Sequence, residues 1–369
     1  MTRDIVALLP HFRFEGKFEQ ALEINAGNIN TTYHLIYRRP DGAKNEYLLQ
    51  RINTYVFKDP VGVMRNIDLV TRHIERAYQA QGVDSRRRVL RVISTTDGAL
   101  FHRTESDDYW RAYNFITHAT AYDRIERPED FREAARAFGE FQRLLTDFPA
   151  AELAETIPGF HHTARRFTAF QASVAADRAG RVKDLGPEIA FLNERRDMMS
   201  EVVLALEAGR LPVRVTHNDT KINNVMIDDA THRAICVIDL DTVMPGSALF
   251  DFGDAIRSGA ATAIEDDPDF SKVGIDLTLF EAFTDGFLSE VKDILTPEEI
   301  EMLPLSAKVI TSEQAMRFLT DYIDGDLYYK IRTPDHNLVR ARNQMALVRD
   351  MEAKYDQMRA IVRKYAAKS

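Results

Sequence analysis

The chain has a single cysteine among its 369 residues. One cysteine excludes an intramolecular disulfide and a cysteine-based zinc site. Cys236 lies inside the apolar run 234–240 and reads as a small buried core residue. No apolar run is long enough to span a bilayer, and the first residues, MTRDIVALLPHF, lack the apolar stretch of a signal peptide. The expectation is a cytoplasmic protein without a membrane partner. Positive charge is also short: 48 Lys and Arg stand against 57 Asp and Glu, a formal net charge of −9. Basic runs such as Arg86-Arg87-Arg88 are brief and flanked by acids, which argues against a nucleic-acid partner. There is no internal repeat, no low-complexity linker and no G-x-S-x-G nucleophile signature. What is present is ordinary for a globular chain, 45% hydrophobic and 28% charged, and long enough for two domains.

The informative stretch is 213–242, VRVTHNDTKINNVMIDDATHRAICVIDLDT. His217-Asn218-Asp219 is followed by Asn224, then by a strand-like run that ends in Asp239-Leu240-Asp241. Side chains alternate along a strand, so Asp239 and Asp241 are expected on one side, with Ile238 and Leu240 on the other. A carboxylate ending an apolar strand is costly unless it is paired or binds a metal. Phosphoryl transfer needs such a set: a carboxylate to orient and deprotonate a hydroxyl, and oxygen ligands for Mg²⁺ on nucleotide phosphates. Asp219 is the candidate base, Asn224 and Asp239 the candidate metal ligands, and His217 a brace for the loop. A polar turn between two strands is the alternative for HNDTKINN.

Upstream, strands are expected over 31–38, 46–52, 89–94, 99–103 and 109–116, with a helix over 60–80. That helix carries Val63, Ile67, Val70, Ile74 and Ala77 as one stripe. The segment INAGNINTTY is small and polar ahead of a strand, so Gly27, Asn28 and Asn30 are candidates for cradling phosphate; an ordinary turn is the other option. Downstream the signals are helical: 128–148, opened by Pro128 with Glu129 and Asp130, then 163–176, 187–206 and 335–364. His161-His162 precedes one of these helices, and an adjacent pair points to opposite sides, a poor arrangement for one metal. Thr296, Pro297 and Glu299 form a capped helix start, and Pro304 is expected to end or break that helix.

The central run resembles the H-x-D-x-x-x-x-N plus distal-Asp pattern of kinases. Together with INAGNINTTY, YLLQRIN, CVIDLDTVMPG and MRFLTDYIDGDLYY, it is similar to the aminoglycoside phosphotransferase and choline kinase superfamily, within it most of all to N-acetylhexosamine 1-kinases. The resemblance covers nearly the whole chain. It implies an α+β, two-lobed, protein-kinase-like fold. A small antiparallel five-stranded lobe with one helix would span 1–116 and bind nucleotide. A hinge would follow over 117–127, then a larger, mainly helical catalytic and substrate-binding lobe over 128–369. ATP and Mg²⁺ would be the cofactors, and the γ-phosphoryl group would pass to the anomeric hydroxyl of N-acetylglucosamine or N-acetylgalactosamine.

Residue by residue, Asp219 matches the base, Asn224 and Asp239 the Mg²⁺ ligands, and Asp251 an acid that supports the catalytic region. Arg317 and Tyr328 fall where the hexosamine kinases contact sugar, and adenine would meet backbone groups between Asn114 and His118, Asn114 and Phe115 first among them. Departures from the pattern are informative. Asn218 stands where protein kinases have Arg, implying no activation-loop phosphate switch, and Asp241 replaces the glycine after the metal-binding Asp. The phosphate-anchoring base of the third strand would be Arg51, paired with Glu75, or Gln50 would take the inward position if the register shifts by one. Other alcohols (aminoglycosides, choline, homoserine) are alternative acceptors, and the acidic run Glu265-Asp266-Asp267-Pro268-Asp269 would suit a cationic one, though it reads more simply as an exposed loop. A non-catalytic nucleotide-binding module is the remaining alternative, against which the complete acid and amide set counts.

Overall fold

The structure is a computed structural model and describes residues 2–24 and 30–367. Its first elements are helix α1 (Thr2–Leu8), strands β1 (Lys17–Ile24), β2 (Thr31–Arg38) and β3 (Lys44–Arg51), helix α2 (Pro60–Ala80), and strands β4 (His102–Arg103) and β5 (Tyr109–Asn114). These strands form one antiparallel sheet in the order β1-β2-β3-β5-β4. Five strands are expected and five are found, but they are not the same five. β1, KFEQALEI, is mostly exposed and carries no clean alternation to announce it. Conversely, the apolar segment 89–94 contributes only the isolated bridge Val92↔Tyr113 and is no strand.

Alternation sorts the sheet into two faces. Leu35, Tyr37, Tyr47, Leu49, Trp110 and Ala112 pack with Ile5 and Leu8 of α1. Thr32, Gln50, Arg111 and Tyr113 occupy the other parity, where Met64 of α2 lies 4.0 Å from the Tyr113 hydroxyl. α2 begins as expected: Asp59 accepts the Gly62 N–H at 2.9 Å, Pro60 opens the first turn, and Val63, Ile67, Val70 and Ile74 are buried.

Two compact units result, Met1–Ala121 with Leu144–Pro158 and Asn224–Pro245, and Tyr122–Arg143 with Gly159–Asn223 and Gly246–Ser369. The sequence assigns 224–245 to the second unit. Pairing places it in the first, because β6 (Ala119–Thr120), β8 (Val225–Asp228) and β9 (Ala234–Val237) form a three-stranded sheet through Ala119↔Asp228. β7 (Arg214–Thr216) leads into the central loop within the second unit.

The second unit is built of helices: α3 (Pro128–Leu144), α4 (Thr163–Ala176), α5 (Gly186–Glu194), α6 (Arg196–Glu207), α7 (Ala248–Gly259), α8 (Leu277–Val291), α9 (Pro297–Asp324), α10 (His336–Ala353) and α11 (Tyr355–Ala366). α9 runs through its core, where Met316, Phe318 and Leu319 pack with Phe170 of α4, Leu192 of α5 and Met345 of α10. The capping box at Thr296 and Glu299 is present, with N–H contacts of 3.1 and 2.7 Å. Pro304, however, sits inside α9 instead of ending it. Burial of Leu303, Pro304 and Leu305 on the core holds the helix together across the missing N–H. Two other expected long helices are each split. The guanidinium of Arg195 bonds Phe191 O and Glu352 at the break between α5 and α6, and the Lys354 ammonium bonds Ile275 O and Asp350 between α10 and α11. Among the described residues no helix is long and apolar enough to cross a membrane.

Candidate active site

In the second unit, α7 organises the loop that follows β7. Asp251 and Asp254 are one turn apart and share a face of that helix. Asp251 is 2% exposed and accepts three donors: the N–H groups of His217 and Asn218, at 3.0 and 2.8 Å, and the Gln142 amide at 2.7 Å. Burial nonetheless pushes its carboxyl above the ordinary range. Asp254 accepts the Thr220 N–H at 2.9 Å and pairs with Arg257 at 3.0 Å. Burial would raise this carboxyl too, but the charges of Arg257 and Lys221 outweigh it and hold it low.

The loop backbone is therefore fixed from beneath. Asn218 takes the left-handed conformation, φ 64°, and Asp219 is half-buried. His217 is buried against the edges of Phe138 and Phe141, ring centroids 5.5 and 6.0 Å away, and its Nδ1 accepts the Asp219 N–H at 3.3 Å. That geometry fits a brace. Lys221 does not stand out in the sequence, yet its Nζ lies 2.7 Å from Asp219 Oδ1, and the Asp219 charge raises its pKa. The available signal was a base two positions after the acid in a loop otherwise uncharged.

In the first unit, the β8–β9 hairpin brings Asn224 and Asp239 to the same end. Val225 pairs with Val237, and the next N–H, from Ile238, donates to Asn224 O at 2.9 Å. The expected alternation of Asp239 and Asp241 does not occur. β9 stops at Val237, and Asp239 is left-handed, φ 58° and ψ 59°, ahead of a 3₁₀ turn over Leu240–Thr242. This twist separates the two acids: Asp239 is exposed, whereas Asp241 is buried and bonded to Arg111 and, at 2.7 Å, to the Asn30 amide. An exposed carboxylate at this end of the hairpin suits Mg²⁺, which keeps much of its shell for phosphate and water. Among the described residues no group of three or more His, Cys, Asp and Glu side chains could hold a metal.

The remaining candidates separate clearly. Gly27 and Asn28 lie outside the described residues. Asn30 is described, and its Oδ1 accepts the Asn53 N–H at 3.0 Å. Arg51 points to the rim, exposed, 3.5 Å from both Asp108 and Thr31 Oγ1, so the inward position on β3 belongs to Gln50. Glu75 pairs with Arg91 at 2.8 Å and not with Arg51, correcting that expected pair. The backbone N–H groups of Asn114 and Phe115 already donate to Arg91 O and Glu46 O, at 3.1 and 3.0 Å, so neither donor is open to a base. Arg317 sits 5.4 Å from the Phe160 ring centre and 5.8 Å from that of Tyr329, and bonds Gln314 at 3.3 Å. Tyr328 is 56% exposed and meets Tyr329 edge-on at 4.8 Å, so Arg317 and Tyr328 flank the same tyrosine.

The profile of the phosphotransferase enzyme family matches residues 20–274. Among solved structures, a microcompartment-associated aminopropanol kinase is similar with a TM-score of 0.63 at 17% identity, over 97% of this chain and 98% of that one. A choline kinase from Cryptosporidium parvum Iowa II gives 0.60 at 12% identity, over the full length of both chains. A spectinomycin phosphotransferase, solved with ADP and spectinomycin, gives 0.54 at 14% identity, over 96% of this chain and 98% of that one. At these identities the likeness is one of fold, and the fold is protein-kinase-like.

Proposed function

This chain belongs to the phosphotransferase enzyme family, and from that premise we propose that it is an ATP- and Mg²⁺-dependent kinase whose acceptor is the anomeric hydroxyl of an N-acetylhexosamine. The observation that carries the kinase reading is the hairpin register that sets Asn224 beside the Asp239 turn. Those two residues would hold Mg²⁺, which neutralises charge on the transferring phosphate. Asp219, on a loop fastened to α7, takes the proton of the attacking hydroxyl. Its main contribution is alignment, because a loose transition state asks little of a base.

Two features support a neutral acceptor. The acidic run that would suit a cation is largely spent on ion pairs: Glu265 with Arg257 at 2.7 Å, Asp266 with Arg332 at 3.4 Å and Asp269 with Lys272 at 3.0 Å. The Arg317 guanidinium beside Tyr328 and Tyr329 would repel an ammonium group while donating to hydroxyl or acetamido oxygens. The sugar assignment itself rests on the sequence resemblance. The neighbours named for aminopropanol, choline and spectinomycin mark the acceptors to test against it.

ADP release with Mg²⁺–ATP is measured across N-acetylglucosamine, N-acetylgalactosamine, plain hexoses, aminopropanol, choline and spectinomycin, with phosphorus NMR of the product. The expected outcome is sugar-dependent release with phosphate on the anomeric oxygen. In Asp219→Asn, kcat falls by about 10²- to 10⁴-fold, the usual contribution of a general base. Turnover with an amino alcohol alone discards the sugar and keeps the kinase. Full activity in Asp219→Asn sinks the assigned base.

A further inference from the structure

The inward position of β3 is the neutral Gln50, and its cross-strand neighbour on β5 is charged. Gln50 pairs across the sheet with Arg111 of β5, and Arg111 Nε donates to Gln50 Oε1 at 3.1 Å. Gln50 in turn donates to Thr32 Oγ1 at 3.1 Å, which fixes its amide orientation. Arg111 is 1% exposed, the largest fully buried side chain among the described residues. Its Nη1 bonds Asp241. Asp241 joins the Asn30 amide at 2.7 Å, and Asn30 receives the Asn53 N–H at 3.0 Å. One network thus links β5, the entry to β2, the end of β3 and the turn that carries Asp239.

Stability alone does not account for this pair. A buried ion pair is commonly no better than an apolar pair of the same volume, since desolvation offsets the attraction. A buried cation whose partner Asp241 stands two residues from the exposed Asp239 has a different use, to hold that turn in place. We propose that Arg111 is the positioning cation of the phosphate site, supplying from β5 the charge that β3 lacks and holding Asp241 and Asn30 in register with the Asp239 turn. The inference rests on the kinase reading above. The ligand it acts on is a nucleoside di- or triphosphate with its divalent cation.

The test uses the full chain and calorimetric binding of Mg²⁺–ADP, with thermal unfolding recorded without ligand. Arg111→Gln is expected to weaken Mg²⁺–ADP binding at least tenfold. The double variant Gln50→Lys/Arg111→Gln moves the charge one strand over to its cross-strand partner and is expected to regain most of that affinity. It also returns one cation to the buried network that holds Asp241, which favours folding. Wild-type affinity in a folded Arg111→Gln overturns the proposal. So does a folded double variant that binds no better than a tenth as well as wild type. A wild-type chain that binds no Mg²⁺–ADP overturns the kinase reading together with this one, which separates the two failures.

Discussion

Asn218 and Asp239 both sit at positive φ, 64° and 58°, a conformation that non-glycine residues other than Asn and Asp seldom adopt. In one the twist sets the backbone that Asp251 receives; in the other it turns a carboxylate out while its neighbour Asp241 goes in. Residue choice is thus doubly constrained, by chemistry and by backbone. Cys236 shows burial acting on a single group. Its side chain is buried on β9, and desolvation pushes the thiol up from 9.0 to about 12. The folded value lies above the unfolded one, so the stability tied to the neutral thiol is complete below 9.0 and is lost as pH rises towards about 12. The expected outcome is that urea midpoints of wild type and Cys236→Ala, compared from neutral pH upward, shift in favour of the alanine variant once pH passes the free thiol value. A constant difference across that range contradicts the buried-thiol account.

At the scale of elements, close approach decides where the acids of α7 stand. A Cβ on Gly253 would lie 2.6 Å from Ser306 O and 2.8 Å from Ile310 Cγ1 of α9. Gly253→Ala therefore forces α7 away from α9, and overpacking of this kind costs about 1–3 kcal/mol. Because Asp251 and Asp254 flank that glycine, kcat should fall along with the denaturation midpoint, while Mg²⁺–ADP affinity changes little. Unchanged turnover in a destabilised variant would mean that the loop is held by something other than α7. The β8–β9 hairpin works in the same manner: its register, and not the intervening sequence, determines that residues fifteen positions apart share one end.

For the whole molecule, charge is the property that acts at a distance. A formal net charge of −9 opposes approach to a polyanion over a Debye length of about 10 Å at 0.1 M salt. The chain should pass unretained through a heparin or DNA column at low ionic strength; retention there would reveal a basic surface that the composition hides.

Much of this was legible in the sequence, for reasons that differ by element. Local signals survive folding: the α2 stripe with its Asp59-Pro60 start, the alternation of β2 and β3, and the capping box at Thr296 each depend on neighbours a few residues away. The spacing of His217, Asp219, Asn224 and Asp239 is likewise a local signal, and the proposed phosphoryl transfer restricts residue types as well as spacing. Tertiary packing decided the rest. Pro304 stays helical because the core on either side of it is buried, and β1 is a strand because β2 offers it a ladder, against its own polar composition. Most of all, no local pattern shows that Arg111, a lone charge in YWRAYN, turns inward to meet an acid 130 residues later, while Arg51 at the end of YLLQR turns out. Facing is set by register against a neighbouring strand, and register is a property of the folded sheet.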